Sequence, residues 1–481
     1  MIQKKILLIH PLGYNSSSAK TDISRKANIM PPLGLASIAA YIDRFQIGSH
    51  IIDCYADPES DSLIQKYLEA EKPAFIGFSC TTSSFLDGIR IAKSAKKMIP
   101  ETRVVFGGVH VSSLKEKILQ SYSVIDYLVV GEGERTLYEL INSDETDLES
   151  ISNIVFRKKD GKIFFTGYRK KLMDLDALPF PAYEKLSGYP SSYKLPIFNY
   201  PKVPNASCIS SRGCPYSCSY CDRSVFQKSF RYNSAQYLYN HLKYLKDKFN
   251  IKHVNFYDDQ FTFNRPRVEA FARLIIQNPL GMTFNCAARA EHLDFELLKL
   301  MKTAGCWMIS LGIETGDETL LAQHRQNPDL EMIRSKIHLI KKAGIRVKGL
   351  LMMGLPGESE ESIKKSKDYV FSLPINDFNL AKFTPFPGSP IYKTIKEQED
   401  KIGTFTEDWE KMDCMQFLFI PKGLSKEKME ALFIDFYKSH FKRTKVLLGY
   451  VSMIWQSPDS WMRFIKDFAG FLKFAFTNKR M

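Results

Sequence analysis

Short apolar runs separated by helix-length segments mark the first 140 residues. Lys5-Ile6-Leu7-Leu8-Ile9 has no polar alternation, the pattern of a strand buried on both faces. His50–Asp53, Phe75–Ser79, Arg103–Phe106 and Tyr127–Val130 repeat it. Between them, Leu33–Phe45, Ser62–Ala70 and Phe85–Met98 carry apolar residues at helical spacing. Strands alternating with helices predict βαβ units and a doubly wound, Rossmann-like parallel sheet. Such sheets bind ligands at the carboxyl ends of their strands. Ser79, Thr81, Gly107, Gly108, Gly131 and Gly133 fall there.

The pattern changes over 141–200, which reads as a connector. Ile154–Arg157 and Ile163–Phe165 flank an Asp160-Gly161 turn, a hairpin signal. Leu178-Pro179-Phe180-Pro181 then excludes helix and central strand. From 201 to 402 a second alternation begins. Its strands are expected at Ala206–Ser210, His253–Tyr257, Thr283–Ala287, Met308–Ile313, Arg346–Met352 and Phe378–Phe383. Six such units predict a partial, TIM-like (β/α)6 barrel with its site at the strands' carboxyl ends. The region 403–481 reads as helical. Ser425 is placed to cap one helix, and Trp461, Phe464, Ile465, Phe468, Phe471, Leu472 and Ala475 follow helical spacing in another.

Composition narrows the class. A hydrophobic share of 44% supports real cores, and 481 residues call for more than one domain. The formal charge of +14 favours an anionic partner. No apolar stretch is long enough to span a bilayer and no signal peptide is evident. The nine cysteines are an odd set without a disulfide pattern, so the reducing cytoplasm is the expected compartment, and clustered cysteines there bind metal.

Three of them are clustered. Cys214, Cys218 and Cys221 stand as C-x3-C-x2-C on a loop after a strand. Thiolates are the soft ligands that iron–sulfur clusters require, and three can leave one iron of a cubane open. A closed zinc site would want a fourth nearby ligand. The other six, Cys54, Cys80, Cys208, Cys286, Cys306 and Cys414, are scattered and read as core residues.

With Tyr220 in the aromatic position before the last cysteine, residues 200–400 resemble the radical S-adenosylmethionine superfamily. The resemblance implies a [4Fe–4S] cluster on Cys214, Cys218 and Cys221. It implies that S-adenosylmethionine meets Asp258 and Asp259 through its ammonium and Arg289 through its carboxylate. Glu314 would serve as a further contact, and the glycine turn at Gly354 and Gly357 would face the nucleoside. Ahead of this module, Pro31–Leu35, Gly77–Thr82, Gly107–Ser112 and Gly131–Glu134 resemble the cobalamin-binding domain of cobalamin-dependent radical enzymes. Ser79 and Thr81 would then bond the nucleotide tail, and Gly107, Gly108, Gly131 and Gly133 would let it approach the backbone. His110 reads as a loop contact. The Asp-x-His-x-x-Gly signature of a lower axial histidine is missing, which leaves the lower ligand open.

These resemblances imply an enzyme that modifies an unactivated carbon, by methyl transfer first and by oxidative cyclisation as the alternative. From another class, a cobalamin or iron–sulfur sensor competes. The implied partners are a small-molecule or lipid-like substrate, isoprenoid or porphyrin-like in character, and an electron donor such as flavodoxin or ferredoxin. No nucleic-acid module is recognisable. The basic, aromatic-rich last helix suggests peripheral membrane contact.

Overall fold

The computed structural model describes residues 5–13, 28–143, 147–466 and 468. In the first module, β1 (Lys5–His10), β2 (Gly48–Asp53), β3 (Phe75–Ser79), β4 (Arg103–Gly107) and β5 (Tyr127–Val129) pair in parallel in the order β2-β1-β3-β4-β5. The unbroken apolar run of β1 has a direct cause. Leu7 and Ile9 enter the core on one face, and Ile6 and Leu8 enter that on the other. The Asp160-Gly161 hairpin forms as β6 (Ile154–Arg157) and β7 (Ile163–Phe165). It does not stand free: β6 pairs antiparallel with β5, extending the sheet to seven strands.

The second module is an open half-barrel. β8 (Asn205–Cys208) leads into a short pair, β9 (Ser211–Arg212) and β10 (Arg231–Tyr232). Then come β11 (His253–Phe256), β12 (Thr283–Ala288), β13 (Cys306–Glu314), β14 (Arg346–Met353) and β15 (Asp377–Lys382). With β8 they form one parallel sheet, each strand beside its successor. In β14, Val347, Leu351 and Met353 are buried in the core while Arg346, Lys348, Leu350 and Met352 alternate with them on the lumen side. That period of two is what a barrel wall requires.

One core runs through both modules. Ile6 and Leu8 of β1 belong to the same buried cluster as Ala206 and Cys208 of β8. The connector cements it: Tyr183 is fully buried and donates its hydroxyl to the Ser207 carbonyl at 3.3 Å. The amide of Ala182 donates to Ala36 on the helix Leu33–Asp43.

The C-terminal region is helical over Lys426–Phe441, Thr444–Gln456 and Pro458–Lys466. Ser425 caps the first by accepting from the Lys428 amide. An antiparallel ribbon, β16 (Gly403–Phe405) and β17 (Phe419–Pro421), precedes them and was not expected from the pattern. Its strands are only three residues long, too short to show a period. The last helix closes the barrel base. Phe198 is ringed by Tyr450, Trp461 and Phe464, and Arg463 donates to the Leu195 carbonyl at 2.9 Å. Phe471, Leu472 and Ala475 of the expected apolar stripe lie outside the described residues. Among the described residues no helix is long and apolar enough to cross a membrane.

Two buried opposite charges meet on Ser210 at the start of the barrel. Asp258 accepts from the Ser210 amide at 2.6 Å and from the Ser210 hydroxyl. Arg267, on the helix Arg265–Gln277, faces Asp258 and donates to the carbonyls of Ser210, Asn233 and Phe261. Removing one partner of such a pair typically costs about 3–5 kcal/mol, because the other charge stays buried. Arg267→Met is therefore expected to lower the thermal unfolding midpoint by several degrees, read by circular dichroism. An unchanged midpoint would show that the pair carries no stability.

Candidate active site

The cysteine loop hangs from the β9–β10 pair, in which Arg212 stands opposite Arg231. The loop turns at Gly213, where φ is +85° and a side chain would bring its Cβ within 2.2 Å of the Ser229 carbonyl oxygen. Later barrel segments fix its far side. The Ser219 amide donates to the His324 carbonyl at 2.9 Å, and the Ser217 amide to Gln326 Oε1 at 3.0 Å. Cys218 is buried, and Cys214 and Cys221 are half-buried. Burial pushes the Cys221 thiol up to about 12 and raises that of Cys214. Free thiolates are disfavoured there, so a positively charged, soft acceptor is what this donor set suits. Among the described residues no three His, Cys, Asp or Glu side chains are grouped as a single metal ion would need.

Other expected residues gather beside this loop. The Arg289 guanidinium lies over the Tyr216 ring at 3.8 Å, with Nη1 3.7 Å from Cys218 Sγ. Glu291 and the Gln326 carbonyl hold it, each at 2.6 Å. Glu314 ends β13 with φ of +67°, beyond a register shift in the strand. Gly312 makes room for it: a Cβ there would stand 2.6 Å from Glu314 Oε1. Burial raises the Glu314 carboxyl, while Arg325, Arg289 and the Tyr220 hydroxyl oppose that rise. Gly354 and Gly357 have φ of +106° and +86°, as a tight turn after β14 needs. Inside that turn the Glu358 carboxylate accepts from the Gly354 amide, and burial raises its pKa to about 8.

A cavity enclosing about 1420 Å³ of space, partly open to solvent, joins the two modules. Ser79, Gly107, Gly108, Gly131 and Gly133 line it from the strand ends of the first sheet, and Tyr257 and Asp259 line it from the segment after β11. Gly77 leaves a slot in its wall. Gly77 sits in register between Leu8 on β1 and Val105 on β4, and a Cβ there would come 2.9 Å from Leu8 Cδ2. The glycine floor and slot fit a bulky ligand laid against the sheet.

Three of the expected residues lie away from the cavity walls. Asp258 is not among the cavity walls; it is only 3% exposed, and its carboxylate accepts from the amide and hydroxyl of Ser210. Asp259 alone of the pair lines the space. Thr81 turns its hydroxyl to Ser83 and Ser84 and is not among the cavity walls. His110 is not in a loop. It lies in the helix Val109–Leu114, fully buried between Phe85 and Trp409, each 4.5 Å between ring centroids. Burial depresses its pKa to about 4, so it packs as a neutral ring.

Glu132 escaped the sequence reading. It sits between the cavity glycines Gly131 and Gly133, and its carboxylate bonds both ends of the cysteine loop. Arg212 Nη1 donates to Oε2 at 2.6 Å, and Arg231 Nη2 donates to Oε1. Glu134, itself held by Ser37, takes the other side of Arg212. These partners are 80 and 99 residues from Glu132 in the chain, so no local pattern announces them.

Glu132→Gln is expected to loosen the neck of the loop. Tryptic cleavage after Arg223 and Lys228 should speed up about tenfold, the factor that about 1.4 kcal/mol provides. An unchanged rate would refute the grip. Glu358 gives a pH signature. A carboxyl whose pKa is raised by folding favours the folded state below its unfolded value, and that favour is lost as pH rises through about 8. The melting temperature should fall between about pH 5 and pH 8 and level off above, and Glu358→Gln should flatten the fall.

The family models match this architecture. The model of the Radical SAM superfamily matches residues 208–370, and that of the B12 binding domain matches residues 20–141. An uncharacterized methyltransferase of Pyrococcus horikoshii is 28% identical over 92% of this chain and 94% of its own length. The anaerobic magnesium-protoporphyrin IX monomethyl ester cyclase of Rubrivivax gelatinosus is 24% identical over 93% and 79%. The fold also matches the radical S-adenosylmethionine methyltransferase TsrM of Kitasatospora setae, solved with cobalamin and a [4Fe-4S] cluster. There the TM-score is 0.69 at 16% identity, over 91% of this chain and 89% of that one.

Proposed function

This chain is a radical S-adenosylmethionine superfamily protein with a B12-binding domain ahead of its radical module, and we propose that it transfers a methyl group to an unactivated carbon. The observation that carries this reading is a cavity walled by both modules. When bound, the cluster supplies the electron that cleaves S-adenosylmethionine, and cobalamin supplies the methyl group.

The chain's own residues bind, orient and exclude water. Cys214, Cys218 and Cys221 hold the cluster. Arg289, already fixed beside Cys218, receives the carboxylate of S-adenosylmethionine, and Asp259 accepts from its ammonium. Glu314 and Tyr220 form the polar wall beyond, and the turn at Gly354 and Gly357 admits the nucleoside. The slot over Gly77, with Ser79, Gly107, Gly108, Gly131 and Gly133 above it, takes the cobalamin. Ile209, Val225 and Phe226 give the cavity an apolar side, which suits a small molecule with a hydrocarbon or macrocyclic body. A small electron-transfer protein of the flavodoxin or ferredoxin type completes the cycle. Cyclisation is the second reading, favoured by the likeness to the Rubrivivax gelatinosus cyclase over 93% of this chain.

After anaerobic reconstitution the protein should release 5′-deoxyadenosine, and Cys218→Ala should abolish that release. Product mass with methyl-labelled S-adenosylmethionine separates the readings. Gain of a labelled methyl supports transfer; loss of two hydrogens supports cyclisation. Gly77→Val fills the slot, and overpacking of about 1–3 kcal/mol should weaken cobalamin binding about tenfold. Iron content should not change. Equal cobalamin uptake would remove the slot from the account.

A further inference from the structure

We propose that the helices Thr444–Gln456 and Pro458–Lys466 form a docking face for the surface of an anionic lipid bilayer. On the first helix Leu447, Leu448, Val451, Ile454 and Trp455 are all exposed, from 43% for Ile454 to 77% for Trp455. At 100° per residue they occupy an arc of about 120°. Val446 and Met453, on the opposite side, are buried. The next helix adds Met462 and Ile465, one turn apart and 62% and 66% exposed. A contiguous apolar face of this size is unusual on a protein surface that meets only water.

Charge selects the occupant. Lys442, Lys445 and Lys466 are exposed at the borders of the face. Between Lys442 and Lys466 the one acidic residue is Asp459. It is turned inward, its carboxylate accepting from the Tyr200 hydroxyl at 2.6 Å. An apolar stripe bordered by cations and carrying an outward tryptophan is the composition of a helix lying in a bilayer interface. A second copy of the chain fits less well, since two such faces would bring lysines against lysines.

The face lies at the barrel base, where Tyr450, Trp461 and Phe464 pack on Phe198. The cofactor cavity opens at the other end of the strands. The docking therefore tethers the molecule without covering its site, and it stands independently of the methyl-transfer reading.

The test uses the full chain with vesicles of phosphatidylcholine alone and of phosphatidylcholine mixed with phosphatidylglycerol. Co-sedimentation with the mixed vesicles, weakened by salt, is expected. The double variant Leu448→Glu, Trp455→Glu should lower the bound fraction about tenfold. Its melting temperature should hold, because both side chains lie outside the core. A chain lacking residues 467–481 should still bind. No sedimentation with anionic vesicles overturns the proposal. So does loss of binding on that deletion while the double variant still binds. A dimer that the double variant dissolves, without vesicle binding, would assign the face to a second copy instead.

Discussion

One carboxylate joins the two halves of this molecule. Glu132 projects from the glycine turn after β5 and meets Arg212 and Arg231, the paired residues at the neck of the cysteine loop. All three side chains are largely sheltered from water, with exposures of 14%, 15% and 21%. In that setting an ion pair left without a partner costs far more than an exposed one. The cavity glycines and the cysteine loop are therefore positioned by the same group. The interface has little freedom besides, because the hydrophobic core is continuous from β1 to β8.

The rest of the site is assembled on that frame by glycines and buried charges. Gly77 and Gly312 withhold a side chain where a ligand slot or a carboxylate needs the space. Asp258 and Arg267 hold the loop after β8 to the helix after β11, which sets where Asp259 enters the cavity. His110 and Trp409 perform a comparable task at the far side, locking the C-terminal ribbon against the first sheet through ring packing.

Much of this could be read from the residues. Every parallel strand was visible because apolar runs such as Ile6–Ile9 and Phe75–Phe78 are bounded by glycine, proline or charge, and the Asp160-Gly161 turn announced its hairpin. What local patterns could not carry was direction across space. Asp258 and Asp259 are adjacent and chemically alike, yet only the second lines the cavity, because in the turn after β11 the first is drawn back to the amide and hydroxyl of Ser210. His110 looked like a loop histidine because Trp409, which buries it, lies 299 positions away in the chain. Glu132 was hidden for the same reason. The aromatic stripe from Trp461 onward drew the membrane reading, yet Trp461 and Phe464 pack on Phe198, and the more exposed apolar face belongs to Thr444–Gln456.

On the proposed function, cobalamin along the first sheet and the cluster on the cysteine loop lie close together between the two modules. Electron paramagnetic resonance on protein loaded with cob(II)alamin and a reduced cluster measures their proximity. Spectra altered by magnetic interaction between the two centres, and unaltered when either is loaded alone, are expected. Spectra that are the simple sum of the two separate signals would contradict that proximity.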